Sequence, residues 1–137
     1  MKKLFLALAM VGLFTASAFA VDASALKARV PFDFAAGSTE LAAGVYTIER
    51  HSAQSGVLML RDDSGHVKAL IQTNAVTGRK IGEPAMLVFN KYGDRYFLHR
   101  VLNAGSGTGS ELRKTKIERE LVASAPVQQV MVAAVYR

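Results

Sequence analysis

The sequence predicts an all-β domain: a small antiparallel sandwich or partly closed barrel of about six to eight strands, with one short helix near the C-terminus. Three observations predict it. Apolar and polar residues alternate in short runs from Val30 onward. Clusters of Asp, Ser and Gly separate the runs. A threonine and a glutamate three residues apart then mark one helix start, at Thr115 and Glu118.

The chain begins with a targeting pattern. Met1-Lys2-Lys3 is a short positive region, and Leu4 to Phe14 is apolar except for Gly12. Small residues follow, ending Ala18-Phe19-Ala20, which suits cleavage after Ala20, with Ala18 as the alternative. An apolar run of about 11 residues is too short to span a bilayer, which takes about 20. Residues 1–20 therefore read as a signal peptide for the general secretory route, since no twin arginine is present. Residues 21–137 read as a single β-rich domain, periplasmic or extracellular, with no transmembrane segment after cleavage.

The 117 residues left by that cut suit one domain with its own core. The chain contains no cysteine. That excludes disulfide frameworks, thiolate metal sites, thiol nucleophiles and the lipid-bearing cysteine of a bacterial lipoprotein. The formal charge is +6; without Lys2 and Lys3, 15 basic and 11 acidic residues remain, about +4. A mildly basic surface serves solubility and is compatible with an anionic partner.

Val21 to Lys27 reads as a lead-in. Val30, Phe32 and Phe34 alternate with Pro31 and Asp33, placing both rings on one face of a first strand. Pro31 cannot donate to a ladder, so it marks an edge or the beginning of that strand. Leu41 to Gly44 reads as a turn with Gly44 free to take positive φ, and Val45 to Arg50 as the next strand. Val57 to Arg61 and Val67 to Thr73 flank the hairpin turn Asp62-Asp63-Ser64-Gly65. Asn74 to Glu83 has no period and reads as a connection.

Met86 to Tyr92 and Arg95 to Leu102 flank Gly93-Asp94, a two-residue hairpin loop. That loop pairs Tyr92 with Arg95, Asn90 with Phe97, Val88 with His99 and Met86 with Val101. On the opposite face it pairs Lys91 with Tyr96, Phe89 with Leu98 and Leu87 with Arg100. Both faces are apolar near the middle, which places this hairpin centrally, under a second layer. Gly105 to Gly109 reads as a flexible loop. Thr115-Lys116-Ile117-Glu118 has capping-box spacing, with the threonine oxygen accepting an early N–H and the glutamate reaching back. A short helix follows to about Ala123, docked by Ile117 and Leu121 and ended by Pro126. Val127 to Tyr136 reads as extended, although its apolar spacing also fits a helix.

Taken in order, Val30-Pro31-Phe32-Asp33-Phe34, Leu41-Ala42-Ala43-Gly44-Val45-Tyr46, the run Leu87 to Leu98 and Thr115 to Glu120 form a pattern. It resembles a family of small exported bacterial proteins of unassigned function. Their members read V-P-F-x-F, L-P-A-G-x-Y, L-x-F-x-x-Y-G-x-x-Y-F-L and a Ser-x-x-Glu helix start. Here Ala42 stands for the family's proline and Thr115 for its serine. The resemblance implies export and a β-rich fold, and brings no activity, cofactor or catalytic residue.

Few residues offer chemistry. His51, His66 and His99 lie in separate segments, none at metal-ligand spacing from another. His66 follows a turn glycine and reads as solvated; His99 reads as a hydrogen-bonded sheet residue. Gly105-Ser106-Gly107-Thr108-Gly109 lacks the lysine and the strand-to-helix setting of a phosphate loop. Asp62-Asp63 suits a turn better than a carboxylate pair, and its surroundings lack calcium-loop spacing. Arg113, Lys114, Lys116 and Arg119 form the one basic cluster, with Glu111, Glu118 and Glu120 interleaved to dilute its field. Without interleaved aromatics it does not suit single-strand stacking, so no nucleic acid is expected.

The expectation is an exported, non-enzymatic module without cofactor or metal, binding an envelope protein or polysaccharide through that basic cluster. Two alternatives stand beside it. Tyr46, Tyr92, Tyr96, Phe89 and Phe97 would line a barrel interior that carries a small apolar ligand. An envelope hydrolase would need His99 gathered beside Asp33 or Glu49.

Overall fold

The computed structural model describes residues 25–51, 56–77, 80, 82–104 and 107–136. The signal-peptide reading of residues 1–20 lies outside them, as do Gly105 and Ser106. The period-two alternation begins at Leu26, earlier than its aromatic stretch. Leu26, Ala28 and Val30 are buried while Lys27 and Arg29 are exposed, forming β1 (Leu26–Val30). Pro31 stands just after this strand, so the chain leaves the ladder where an N–H would be missing. β2 (Phe34–Ala36) and β3 (Thr39–Leu41) form a short hairpin turned by Gly37 at φ 61°. The left-handed glycine is thus Gly37; Gly44 instead opens β4 (Gly44–Arg50).

β5 (Val57–Asp62) and β6 (Val67–Thr77) follow as the expected hairpin. Asp62 Oδ1 accepts from the backbone N–H groups of Ser64 and His66, both at 3.0 Å, and Gly65 takes φ 85°. β6 runs four residues beyond its expected end, so the first part of the expected connection is strand. β7 (Met86–Tyr92) and β8 (Arg95–Leu102) turn at Gly93-Asp94. Their register is as expected from Tyr92–Arg95 to Phe89–Leu98, then slips by one. Val88 faces Arg100, Leu87 faces Val101 and Met86 faces Leu102. His99 is the extra residue. A bulge reverses side-chain parity, so Leu98 and Val101 both point inward and both are buried.

The glycine-rich stretch leads into a strand, β9 (Thr108–Leu112), rather than remaining loop to Gly109. A Cβ on Gly109 would stand 2.7 Å from Leu102 Cδ2 and 2.8 Å from the Val101 carbonyl oxygen. Only glycine allows β9 to approach β8 that closely. Helix α1 (Lys116–Ser124) and β10 (Gln128–Tyr136) complete the described chain.

The strands close into a ring in the order β8-β7-β10-β1-β4-β5-β6-β9, with β9 returning to β8. This is a closed eight-stranded antiparallel barrel. β2 and β3 extend it from the first half of β8, where Ala35 pairs with Phe97 in parallel. Closure removes the open edges that a sandwich would have to protect. Inward side chains from all eight ring strands form one buried cluster, with Phe89 fully buried within it. Phe32 and Phe34 both meet Phe89 edge-on, at 4.9 and 5.2 Å between ring centroids, and Phe32 stacks on Tyr96 at 3.8 Å. The chain segment after β1 therefore plugs one end of the ring with aromatic rings. No described helix is long and apolar enough to cross a membrane.

Candidate functional site

α1 lies on the outer face of β7 and β8, and three features of the sequence put it there. Thr115 caps its start, its Oγ1 accepting from the Glu118 N–H at 3.3 Å. Pro126 follows its end. Leu121 and Ala125 pack against Ala35, Tyr92 and Phe97, a small second apolar cluster outside the barrel.

Glu118 fixes the rotation of the helix. Its carboxylate turns toward the sheet, where Oε1 accepts from Tyr92 OH at 3.1 Å and Asn90 Nδ2 at 3.3 Å. All three residues are buried, Glu118 being only 4 % exposed. A buried carboxylate is tolerable only when hydrogen-bonded in this way. The face toward the sheet is thus Glu118, Leu121 and Ala125, at helical spacing. Ile117, expected to dock the helix, is instead 51 % exposed. The polar grip of Glu118 on β7 outweighs the apolar preference of its neighbour.

Burial pushes the Tyr92 hydroxyl up to about 12, and the adjacent Glu118 carboxylate adds to the shift. The native pKa lies above the ordinary value of about 10, so the neutral phenol is the form that the fold favours. Its stabilising contribution is complete below about pH 10 and is lost as pH rises through about 12. An absorbance titration of the native protein should show a late tyrosine that disappears in Tyr92→Phe. The same variant should flatten the loss of stability over that pH interval.

His99, the extra residue of the bulge, meets Glu111 at 3.4 Å, and Arg100 meets the same carboxylate oxygen at 3.5 Å. Burial lowers the His99 pKa; Arg100 and Lys114 push the same way, against Glu111 and Glu118. His99 therefore keeps company with Glu111, not with Asp33 or Glu49. Asp33 accepts from the Ala43 N–H at 2.8 Å, and Glu49 pairs with Arg61 at 2.6 Å. His66 is exposed beside Asp62, and His51 is exposed. Among the described residues no group of three or more histidines and carboxylates gathers to hold a metal ion.

Arg113, Lys114, Lys116 and Arg119 are all exposed around the start of α1. The structure changes the balance among their acidic neighbours. Glu118 is turned into the body, and Glu111 is engaged by His99 and Arg100. Four cations thus stand in solvent at this helix start, and Glu120 alone among the interleaved glutamates stands beside them in solvent. Beside it, a depression of about 270 Å³ runs between the helix start and the β2–β3 hairpin, lined by Thr115, Lys116, Ile117, Phe97, Ala35 and Arg95 among others. The sequence offered no direct signal for this depression, because its walls come from segments distant along the chain.

No protein-family model, curated protein or solved structure matches this chain.

Proposed function

We propose that this chain is an exported, non-enzymatic β module that binds a protein or polymer at the cell envelope, with the start of α1 as its contact face. The observation that carries the reading is the uneven fate of the charges there. Four cations face solvent, while Glu118 is buried and the half-buried Glu111 is engaged by His99 and Arg100. Glu118 fixes the helix to the sheet, so the backbone that carries these cations is ordered before binding and that part of the entropy cost is avoided. The leader-like residues 1–20 support export. The packed interior counts against the alternative of an apolar ligand carried inside the ring, because one cluster of side chains fills the space such a ligand would need.

Polygalacturonate, a soluble acidic polysaccharide, is a suitable first probe. Binding at low salt should weaken steeply as sodium chloride is added, since counterions are released on contact. Arg113→Glu with Lys114→Glu should weaken it tenfold or more. Lys27→Glu with Lys68→Glu, which reverses the same number of charges at exposed positions on β1 and β6, should leave it within twofold. Equal losses from the two changes would mean that net charge, not this face, governs binding, and the reading would fall.

A further inference from the structure

The depression beside α1 adjoins a second one. A cavity of about 360 Å³ lies between the β7–β8 turn and the β2–β3 hairpin. It shares Ala35, Glu40 and Arg95 with the depression of about 270 Å³. The two adjoin as one trough interrupted by the exposed Arg95–Glu40 pair, with Ala35 lining both parts. On the outer face of β3, β2 and β8, Ala35 has Glu40 as its partner on one side and Phe97 on the other. A methyl group between two long side chains leaves a channel.

The trough is polar in opposite senses at its two ends. Asp33 and Asp94 border one end, with the Tyr96 ring. Lys116 borders the other, with the apolar surfaces of Phe97 and Ile117. In the middle Arg95 Nη2 reaches Glu40 Oε1 at 3.4 Å, with both side chains well exposed. An exposed pair of this kind contributes little to stability, so a ligand's own charges can replace it.

We propose that the trough holds an extended segment of a protein partner, with a basic side chain between Asp33 and Asp94 and an acidic side chain at Lys116. This rests on the reading of the α1 start as a contact face, and narrows its partner from protein or polymer to protein. Charge complementarity makes the choice. A uniformly acidic polysaccharide would be repelled by the carboxylate end, whereas one peptide segment carries both signs and an apolar side chain for the surface between them.

The test is selection of a displayed random octapeptide library on the immobilised protein. Enriched peptides should carry Lys or Arg toward one end and Asp or Glu three to five positions away. Ala35→Phe, which enlarges the side chain lining both parts, should weaken a selected peptide tenfold or more. Asp94→Lys, an exposed turn substitution that leaves the fold intact, should do the same for peptides bearing the basic residue. Enrichment of purely acidic peptides, no enrichment at all, or indifference of bipolar peptides to both substitutions would overturn the proposal. Polygalacturonate binding, measured in parallel, separates the two claims. If it persists through Arg113 and Lys114 while no bipolar peptide is selected, only the trough assignment fails.

Discussion

Replacing Phe89 with alanine is expected to cost about 4 kcal/mol, the largest effect of any single substitution considered for this chain. The ring is fully buried at the centre of the barrel cluster. Its loss removes the transfer energy of a large apolar side chain and leaves a cavity that β-strands tied on both sides cannot collapse to fill. It also removes two edge-on aromatic contacts, with Phe32 and Phe34, each worth about 1 kcal/mol. Domains of this size have about 5–15 kcal/mol in hand, so the variant should lose a large fraction of its stability. Urea unfolding reads this as a lower midpoint with an unchanged slope. Leu70→Ala, at a position 59 % exposed, should stay within about 0.5 kcal/mol of the parent. A loss below about 1.5 kcal/mol for Phe89→Ala would contradict a filled interior.

The second large effect is expected at Glu118. Glu118→Ala removes the acceptor for Tyr92 OH and Asn90 Nδ2, and both donors are buried. Leaving a buried donor unpaired costs about 1–3 kcal/mol, so a loss of about 3 kcal/mol is expected once the helix relaxes. Glu118→Gln keeps an acceptor oxygen and the side-chain shape, and should cost about 1 kcal/mol. The ratio of the two losses is informative. If alanine costs no more than glutamine, the carboxylate is not what holds α1 to β7, and the rigidity claimed for the basic face loses its cause. Loosening α1 in the alanine variant should also weaken polygalacturonate binding without changing any exposed cation.

Much of this fold was readable where the physics is local. Gly93-Asp94 and the run Asp62 to Gly65 carry their own turn chemistry, and Thr115 its own cap. The extended reading of Val127 to Tyr136 agrees with β10. What could not be read depends on partners far along the chain. β9 has no apolar alternation, because the backbone ladders of β6 and β8 hold it and Gly109 serves only close approach. The bulge at His99 has no signature in the sequence because both faces of that hairpin are apolar, so a slip of one residue leaves the pattern sound. Ile117 was expected inward because its partners were judged by hydrophobicity. The deciding contact is polar, from Glu118 to residues 26 and 28 positions earlier. The first strand expected over Val30 to Phe34 instead bridges the end of β1 and the start of β2, and the alternation that forms β1, Leu26-Lys27-Ala28-Arg29-Val30, begins in the segment that reads as a lead-in. The basic residues were identifiable one by one, but the trough was not, since Ala35 lines it only when Phe97 lies alongside.

The seating of β10 between β1 and β7 has a consequence for timing. A chain emerges from the ribosome, or from a translocation pore, with its N-terminus first. Until residues 128–136 are out, β1 and β7 each lack a neighbour and the ring stays open. Of the eight ring strands the last delivered is the keystone. Joining strands that far apart in sequence is slow, so the polypeptide remains threadable until β10 has emerged and locks only then. A copy cut short before Gln128 would be stranded with two adhesive edges, recruiting other copies in place of its missing stave.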